Sequence, residues 1–399
     1  LNRRGFLAGA AAAVALPTAA AIQSNSGTGL GSGPGPGPDP DSPSGLAHYA
    51  RGSGRSYGCA IKSHQFDKDP AFIAAVVRES NVVVQEYELK RHVTQPAPGR
   101  FDFTGADRII DFAMKHGMAA RGHALVWYSA NPPWLEVALR AAPMKERVAL
   151  LNGYIEIAMR RYAGRISEWD VVNEAIEPNQ GRSDGMRDKS MWLQTMGEQY
   201  IDIAFRTARQ ADPKARLFLT DFGLEHDSRR CEQRRNAMLR LLDRLMSRQV
   251  PIDALGIQGH LKPYREGFNQ RVFADFLERV RGFGLRIAIT EFDIADRGGP
   301  PDIAKRDGEV AAVGRAFMDV ALASPAVDSV LTWGLSDRYS WLSTFPDYRW
   351  PDGQPSRGLP LDADLRRKPL WTAIAGAFES APARHMSAGA YLSNGVGAA

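Results

Sequence analysis

Two stretches of the chain end an apolar run on a glutamate. Trp169-Asp170-Val171-Val172-Asn173-Glu174 follows Ile166, and Ile287-Ala288-Ile289-Thr290-Glu291-Phe292-Asp293 has the same grammar. β-Branched and aromatic residues make each run a strand. A carboxylate delivered at the end of a buried strand costs several kcal/mol unless it is paired, so both glutamates need a reason. Two carboxyl groups presented by two strands are what cleavage of a glycosidic bond requires. One, protonated, gives its proton to the leaving oxygen; the other, ionised, attacks the anomeric carbon. Opposite protonation at one pH needs different surroundings. His260 is a candidate hydrogen-bond partner for Glu291, and Asp293 lies two residues on along the same strand. Glu291 is therefore read as the nucleophile, supported by Asp293, and Glu174 as the acid/base. The competing reading of each glutamate is a buried ion pair with a neighbouring Arg or Lys.

Apolar strands alternate with amphipathic helical patterns along the chain. Strands are expected at 57–63, 82–88, 119–127, 168–173, 216–220, 254–258, 286–290 and 329–334. Helices are expected at 70–79, 106–115, 144–162, 192–211, 231–247, 271–281 and 304–322, with a last one after Pro369. Asp69-Pro70 and Thr104 mark helix starts; Gly117 and Gly284 mark stops. Strict alternation with short turns implies parallel strands and right-handed crossovers. Eight units close into an α/β fold, a (β/α)8 TIM barrel forming a single catalytic domain; an open doubly wound sheet has no need of eight regular units.

A barrel places its site at the C-terminal strand ends. Polar groups and aromatics do collect there: Glu86, Glu88 and Lys90; His123, Trp127 and Tyr128; Asn173 and Glu174. Further along come Asp221, Gln258 and His260, Glu291 and Asp293, then Trp333 and Asp337. A lone His or Trp on a strand is more often core than ligand, but seven strands ending this way mark a polar, aromatic-lined cleft. Sugar hydroxyls need donors and acceptors, and pyranose faces need flat rings.

The chain opens Leu1-Asn2-Arg3-Arg4-Gly5-Phe6-Leu7 and continues as an alanine-rich apolar run to Ile22. Twin arginines before a short apolar region read as a twin-arginine export signal over 1–22, with a periplasmic or extracellular destination. An N-terminal membrane anchor is the alternative, but the run is short and interrupted by Gly9, Pro17 and Thr18. Residues 23–46 are a Gly/Pro/Ser-rich linker, 47–380 the catalytic domain, and 381–399 a tail with little to bury. The net charge is +5, of which Arg3 and Arg4 leave with the signal. The remaining basic residues are scattered, as in Arg229, Arg230, Arg234 and Arg235, so no nucleic-acid partner is expected. No membrane partner is expected after export, and the protein is read as a monomer. Hydrophobic residues make up 44% of the chain, enough for a large core. Cys59 and Cys231 have no framework or zinc spacing, and the sequence leaves their own pairing open. His123, His260 and the carboxylates lack metal-ligand spacing, and glycoside hydrolysis needs no metal; neither metal nor cofactor is expected.

From about Ser56 to Phe378 the chain resembles glycoside hydrolase family 10, the endo-β-1,4-xylanases. The resemblance rests on Arg121-Gly122-His123-Ala124-Leu125-Val126-Trp127, on Trp169-Asp170-Val171-Val172-Asn173-Glu174, and on Gln258-Gly259-His260. It continues in Ile289-Thr290-Glu291-Phe292-Asp293-Ile294 and in Trp333-Gly334 with Asp337 and Ser340-Trp341. It implies a retaining hydrolase acting on xylan, with Glu174 as acid/base and Glu291 as nucleophile. It also implies that Lys90, His123, Asn173, Gln258, His260, Trp333 and Trp341 hold the sugars next to the scissile bond, Asn173 on the 2-hydroxyl. Glu86 and Trp127 complete the expected substrate-binding set.

The chain departs from the family pattern at several positions. Glu86-Tyr87-Glu88-Leu89-Lys90-Arg91 stands where the family usually has Glu-Asn-x-Met-Lys-Trp. Tyr128 replaces a common His, and Thr220-Asp221-Phe222-Gly223 replaces Asn-Asp-Tyr-Asn. The chemistry is kept while flanking subsites change. Arg91 reads either as a solvated charge or as a bidentate partner for a substrate carboxylate, such as a glucuronic acid branch. Two rivals to a xylanase are a β-glycosidase of similar barrel acting on another or decorated β-glycan, and a carbohydrate-binding protein without catalysis.

Overall fold

The computed structural model describes residues 38–384. The export signal over 1–22, the first part of the linker (23–37) and most of the tail lie outside the described residues. Within them the barrel strands are β1 (Ser56–Ile61), β2 (Val82–Gln85), β3 (Ala119–Trp127), β4 (Ile166–Asn173), β5 (Arg216–Asp221) and β6 (Ala254–Ile257). They continue with the two-residue β7 (His260–Leu261), β8 (Arg286–Ile294) and β9 (Val327–Thr332). All pairings are parallel, in the order β6-β5-β4-β3-β2-β1-β9-β8, and β6 pairs with β8 to close the ring. β7 prolongs the sixth strand beyond Gln258-Gly259 and pairs with the end of β8, His260 opposite Asp293. The expected eight-stranded barrel is what forms.

The helices between strands follow the apolar period, with local corrections. Asp69 caps the helix Pro70–Glu79 by accepting from the Phe72 N–H at 3.0 Å. The single helix expected over 192–211 is broken at Gly197, whose φ of 66° takes the left-handed turn open to glycine. Met191–Met196 and Gln199–Ala211 are the two pieces. The helices Leu46–Gly52 and Pro133–Ala141 were not foreseen, being short and without a long periodic run. The strand expected over 82–88 stops at Gln85, which frees Glu86–Lys90 as a loop at the barrel mouth. The strand expected over 286–290 runs on to Ile294 and carries Glu291 and Asp293 inside the ladder.

The main core lies between strands and helices, with Trp169, Trp371, Phe72, Phe205 and Tyr154 fully or almost fully buried. Gly122 lets the indole of Trp169 close on β3: a Cβ there would lie 2.2 Å from Trp169 Cε3. The lumen is partly ionic. Side chains two apart share a face of a strand, so Glu168 and Asp170 project together from β4, and Arg216, Phe218 and Thr220 from β5. Arg216 Nη1 reaches Asp328 of β9 at 2.8 Å and Glu168 at 3.1 Å. β5 and β9 are not neighbours, so Arg216 and Asp328 meet only across the barrel interior. Cys59 and Cys231 are both free and buried. No helix of the described residues is long and apolar enough to cross a membrane.

Candidate active site

β4 ends on Asn173 and passes to Glu174, which sits at φ 57°, an uncommon conformation for a residue with a side chain. Its N–H donates to Thr220 O at 2.8 Å, and Arg187 Nε donates to its carbonyl at 2.7 Å. These bonds from two neighbouring segments hold the strained backbone in place. The carboxylate accepts from Gln258 Nε2 at 3.0 Å and from Asn173 Nδ2 at 3.5 Å, and Arg187 Nη2 lies 3.7 Å away.

Gln258 joins the two glutamates. Its side chain donates to Glu174, and also to Asn173 Oδ1 at 3.3 Å, while its carbonyl accepts the Glu291 N–H at 2.8 Å. At Glu291, Oε2 lies 3.4 Å from His260 Nε2, and Oε1 lies 3.9 Å from His123 Nδ1. His260 Nδ1 pairs with Asp293 Oδ1 at 2.8 Å, and Trp341 Nε1 donates to Asp293 Oδ2 at 2.6 Å. Burial alone would lower the His260 imidazole. Asp293, by charge and hydrogen bond, and Glu291 outweigh that and raise it well above the ordinary histidine value. Asp293 thus holds a cationic His260 against Glu291 and fixes the indole of Trp341 as well.

On β3, His123 Nδ1 pairs with Asp170 at 3.0 Å, and its ring meets Trp333 edge-on at 5.2 Å between centroids. Burial works to raise the Asp170 carboxyl, but Arg121 and His123 outweigh it and hold it well below the carboxylate range. Lys90 places its ammonium 4.8 Å from the centre of the Trp127 ring. Burial lowers the Lys90 ammonium while Glu291, Glu86 and Glu174 pull it up, so it lies in the field of both glutamates. Glu86 is paired with Lys62 at 2.8 Å, and burial raises its carboxyl against that cation.

Glu174, Glu291, Lys90, His123, Asn173, Trp127, Gln258, His260, Asp293, Trp333 and Trp341 thus come together at one end of the barrel. Three other strand-end acids do not point at a ligand. Asp221 is fully buried, bound by the Ile176 and Phe222 N–H groups at 2.9 Å and paired with Arg234. Asp337 is held by Lys368 at 2.6 Å, and Glu88 accepts the Ser63 N–H. Each anchors a loop. Arg91 is neither a solvated charge nor free for a substrate carboxylate: it is 3% exposed, bonded to Gln95 and to Leu150 O, and packed on Tyr154 at 4.3 Å. Its guanidinium substitutes for an indole as a buried plate, and burial lowers its pKa to about 10.

Arg187 was missed. It is 4% exposed, and its guanidinium stacks on Tyr128 at 3.9 Å while bonding the Glu174 carbonyl. An arginine in the polar run Arg182-Ser183-Asp184-Gly185-Met186-Arg187-Asp188 looks solvated, and no local signal marks it.

The family model for glycosyl hydrolase family 10 matches residues 45–377. Endo-1,4-beta-xylanase B of Thermotoga neapolitana is 31% identical over 306 residues, covering 76% of this chain and 82% of that protein. Native xylanase 10B from Thermotoga maritima superposes with a TM-score of 0.75 at 30% identity, over 84% of this chain and 98% of the other. Xylanase 10B from Thermotoga petrophila RKU-1 in complex with xylobiose gives 0.75 at 29%, over 84% and 97%. The closed parallel barrel, the paired glutamates at its mouth and the match along the whole domain agree: the chain is a glycoside hydrolase and belongs to glycosyl hydrolase family 10.

Proposed function

We propose that the protein is a retaining endo-β-1,4-xylanase in which Glu291 is the nucleophile and Glu174 the acid/base. One observation carries the assignment. Glu291 is held through Oε2 by His260, while its buried Oε1 has no hydrogen-bond partner among the described residues. A carboxylate fixed by one oxygen and free on the other is oriented for attack. The neighbouring Glu174 carboxyl, bonded by Gln258 and Asn173, is the group available to protonate the leaving oxygen.

Glu291 attacks the anomeric carbon as Glu174 gives its proton to the departing sugar, leaving a glycosyl ester on Glu291. Glu174, now ionised, takes a proton from water, which attacks the same carbon and releases the sugar with its original configuration. By the family resemblance, Asn173 bonds the 2-hydroxyl of that sugar, and Lys90 and His123 other hydroxyls, with Trp333 and Trp341 as walls. Xylan is the substrate class because the relatives described above are named xylanases and one was solved with xylobiose. Glu291→Ala should lower kcat on xylan by roughly four orders of magnitude or more. Added azide should restore turnover of an activated aryl xyloside and give the product of inverted configuration. Near-wild-type hydrolysis by the variant would end the assignment, and wild-type hydrolysis of β-glucan but not xylan would end the substrate reading.

A further inference from the structure

The large aromatic side chains exposed among the described residues are Tyr87, Tyr128 and Phe345, at 48%, 37% and 45%. They sit in the loops after β2, β3 and β9, at the end of the barrel that carries the two glutamates. Tyr87 is the most exposed of them, and it is not loose. Its hydroxyl lies 2.8 Å from His92 Nε2, and the two rings meet edge-on at 5.0 Å. His92 Nδ1 lies 2.9 Å from Ala130 O, and the His92 N–H donates to the same carbonyl at 3.0 Å. A carbonyl only accepts, so Nδ1 carries a proton, and Nε2 on the far side of the ring shares a hydrogen bond with the Tyr87 hydroxyl. Ala130 presents that carbonyl from φ 52°, a conformation costly for alanine. Asn131 closes the same loop through Nδ2, which donates to Trp127 O at 2.8 Å and Ser129 O at 3.0 Å. A relay of side chains therefore fixes an outward-facing phenol ring to the loop that carries Trp127. Lys90, three residues beyond Tyr87, already lies over Trp127.

Hiding that much apolar ring would favour the fold, and nothing in the fold does so. Ordering a side chain that remains in water costs entropy, which the two-ended tether has to offset. A ring held flat before a ligand arrives loses no rotamer freedom on binding, the economy that preorganised sites exploit. We infer that Tyr87 is a preformed stacking platform for a sugar of the bound chain outside the pair at the scissile bond. The inference rests on the xylanase reading of the site and adds a subsite to it. The pyranose face lies on the ring, and His92 supplies rigidity rather than contact.

The test compares an aryl β-xyloside, which carries one sugar, with xylo-oligosaccharides of three to six sugars. Tyr87→Ala should leave kcat/KM on the aryl xyloside within about twofold and lower it roughly threefold to tenfold on the longest oligosaccharide, through KM. Tyr87→Phe keeps the ring and releases the tether, and should fall between wild type and Tyr87→Ala. Equal losses on both substrates, or none on either, overturn the platform. A wild type inert on xylo-oligosaccharides overturns the xylanase reading alone, and the same comparison on cello-oligosaccharides then decides the platform.

Discussion

Low in the barrel, charged side chains meet across the lumen and are spent on one another. Arg121 bonds Glu168 at 2.8 Å and both oxygens of Asp170, and Thr220 donates to Asp170 as well. Arg216 and Arg286 converge on Asp328. At the mouth the same residue types keep capacity in hand: Glu291 leaves an oxygen unpartnered, and Lys90 rests over an indole facing two glutamates. Burial is severe in both regions, so burial does not separate them. What separates them is the kind of partner: arginines bond Glu168, Asp170 and Asp328 in the lumen, whereas Glu291 at the mouth faces the imidazoles of His260 and His123. Acids locked to arginine hold strands in register, whereas one facing imidazoles can exchange a neighbour for a sugar or a covalent bond. His123 joins the regions, bonded to Asp170 below and lying near Glu291 above.

The sharpest way to break this contrast is to remove a member from each region. Glu174→Ala should cost roughly 10²- to 10⁴-fold in kcat on xylan and much less on aryl xylosides with good leaving groups, which need little protonation. Its thermal stability should be unchanged or raised, because the substitution removes a buried carboxylate that serves the site rather than the fold. Equal activity losses on good and poor leaving groups would remove Glu174 from the acid role.

Arg121→Met should behave the opposite way. It takes away the guanidinium that Asp170 and Glu168 share, leaving Asp170 to His123 and Thr220 and Glu168 to Arg216, and should lower stability by about 3 kcal/mol, read from urea unfolding. The Asp170 carboxyl is depressed in the fold, so its contribution is present above about pH 4 and is lost as pH falls through its folded value. The deficit of Arg121→Met should therefore shrink toward acid pH. A constant deficit would mean that packing of the guanidinium on Phe218, 3.9 Å away, matters more than charge.

The smallest effect belongs to the residue that sets an imidazole beside Glu291. With its pKa raised, His260 stays cationic through neutrality. The stability this gives is complete below about pH 6.5 and is lost only as pH climbs through the raised value. His260→Asn removes a cation beside the nucleophile, so the acidic limb of kcat/KM should move up by about one to two pH units. An unmoved limb would place the control of Glu291 elsewhere, with His123 the next candidate.

Local pattern in the chain was enough to specify the strands and the residues that end them. Period-two and period-3.6 repeats depend on neighbours within a few positions, so the eight strands were legible from β1 to β9 with shifts of a few residues at their ends. Glu174 and Glu291 stood out because a carboxylate ending an apolar strand violates that pattern. Partnership was not legible, because it joins residues far apart in the chain. Nothing near Arg91 says that Leu150 and Tyr154 will cover it. Nothing near Arg187 says that it folds back on Glu174, and Asp337 reads as a ligand until Lys368 reaches it. The sequence by itself determined which residues could do chemistry and which strands carry them. Closure of the ring alone decided which charges are neutralised as scaffold and which are left open to substrate, since only closure sets the distances across the lumen and between loops.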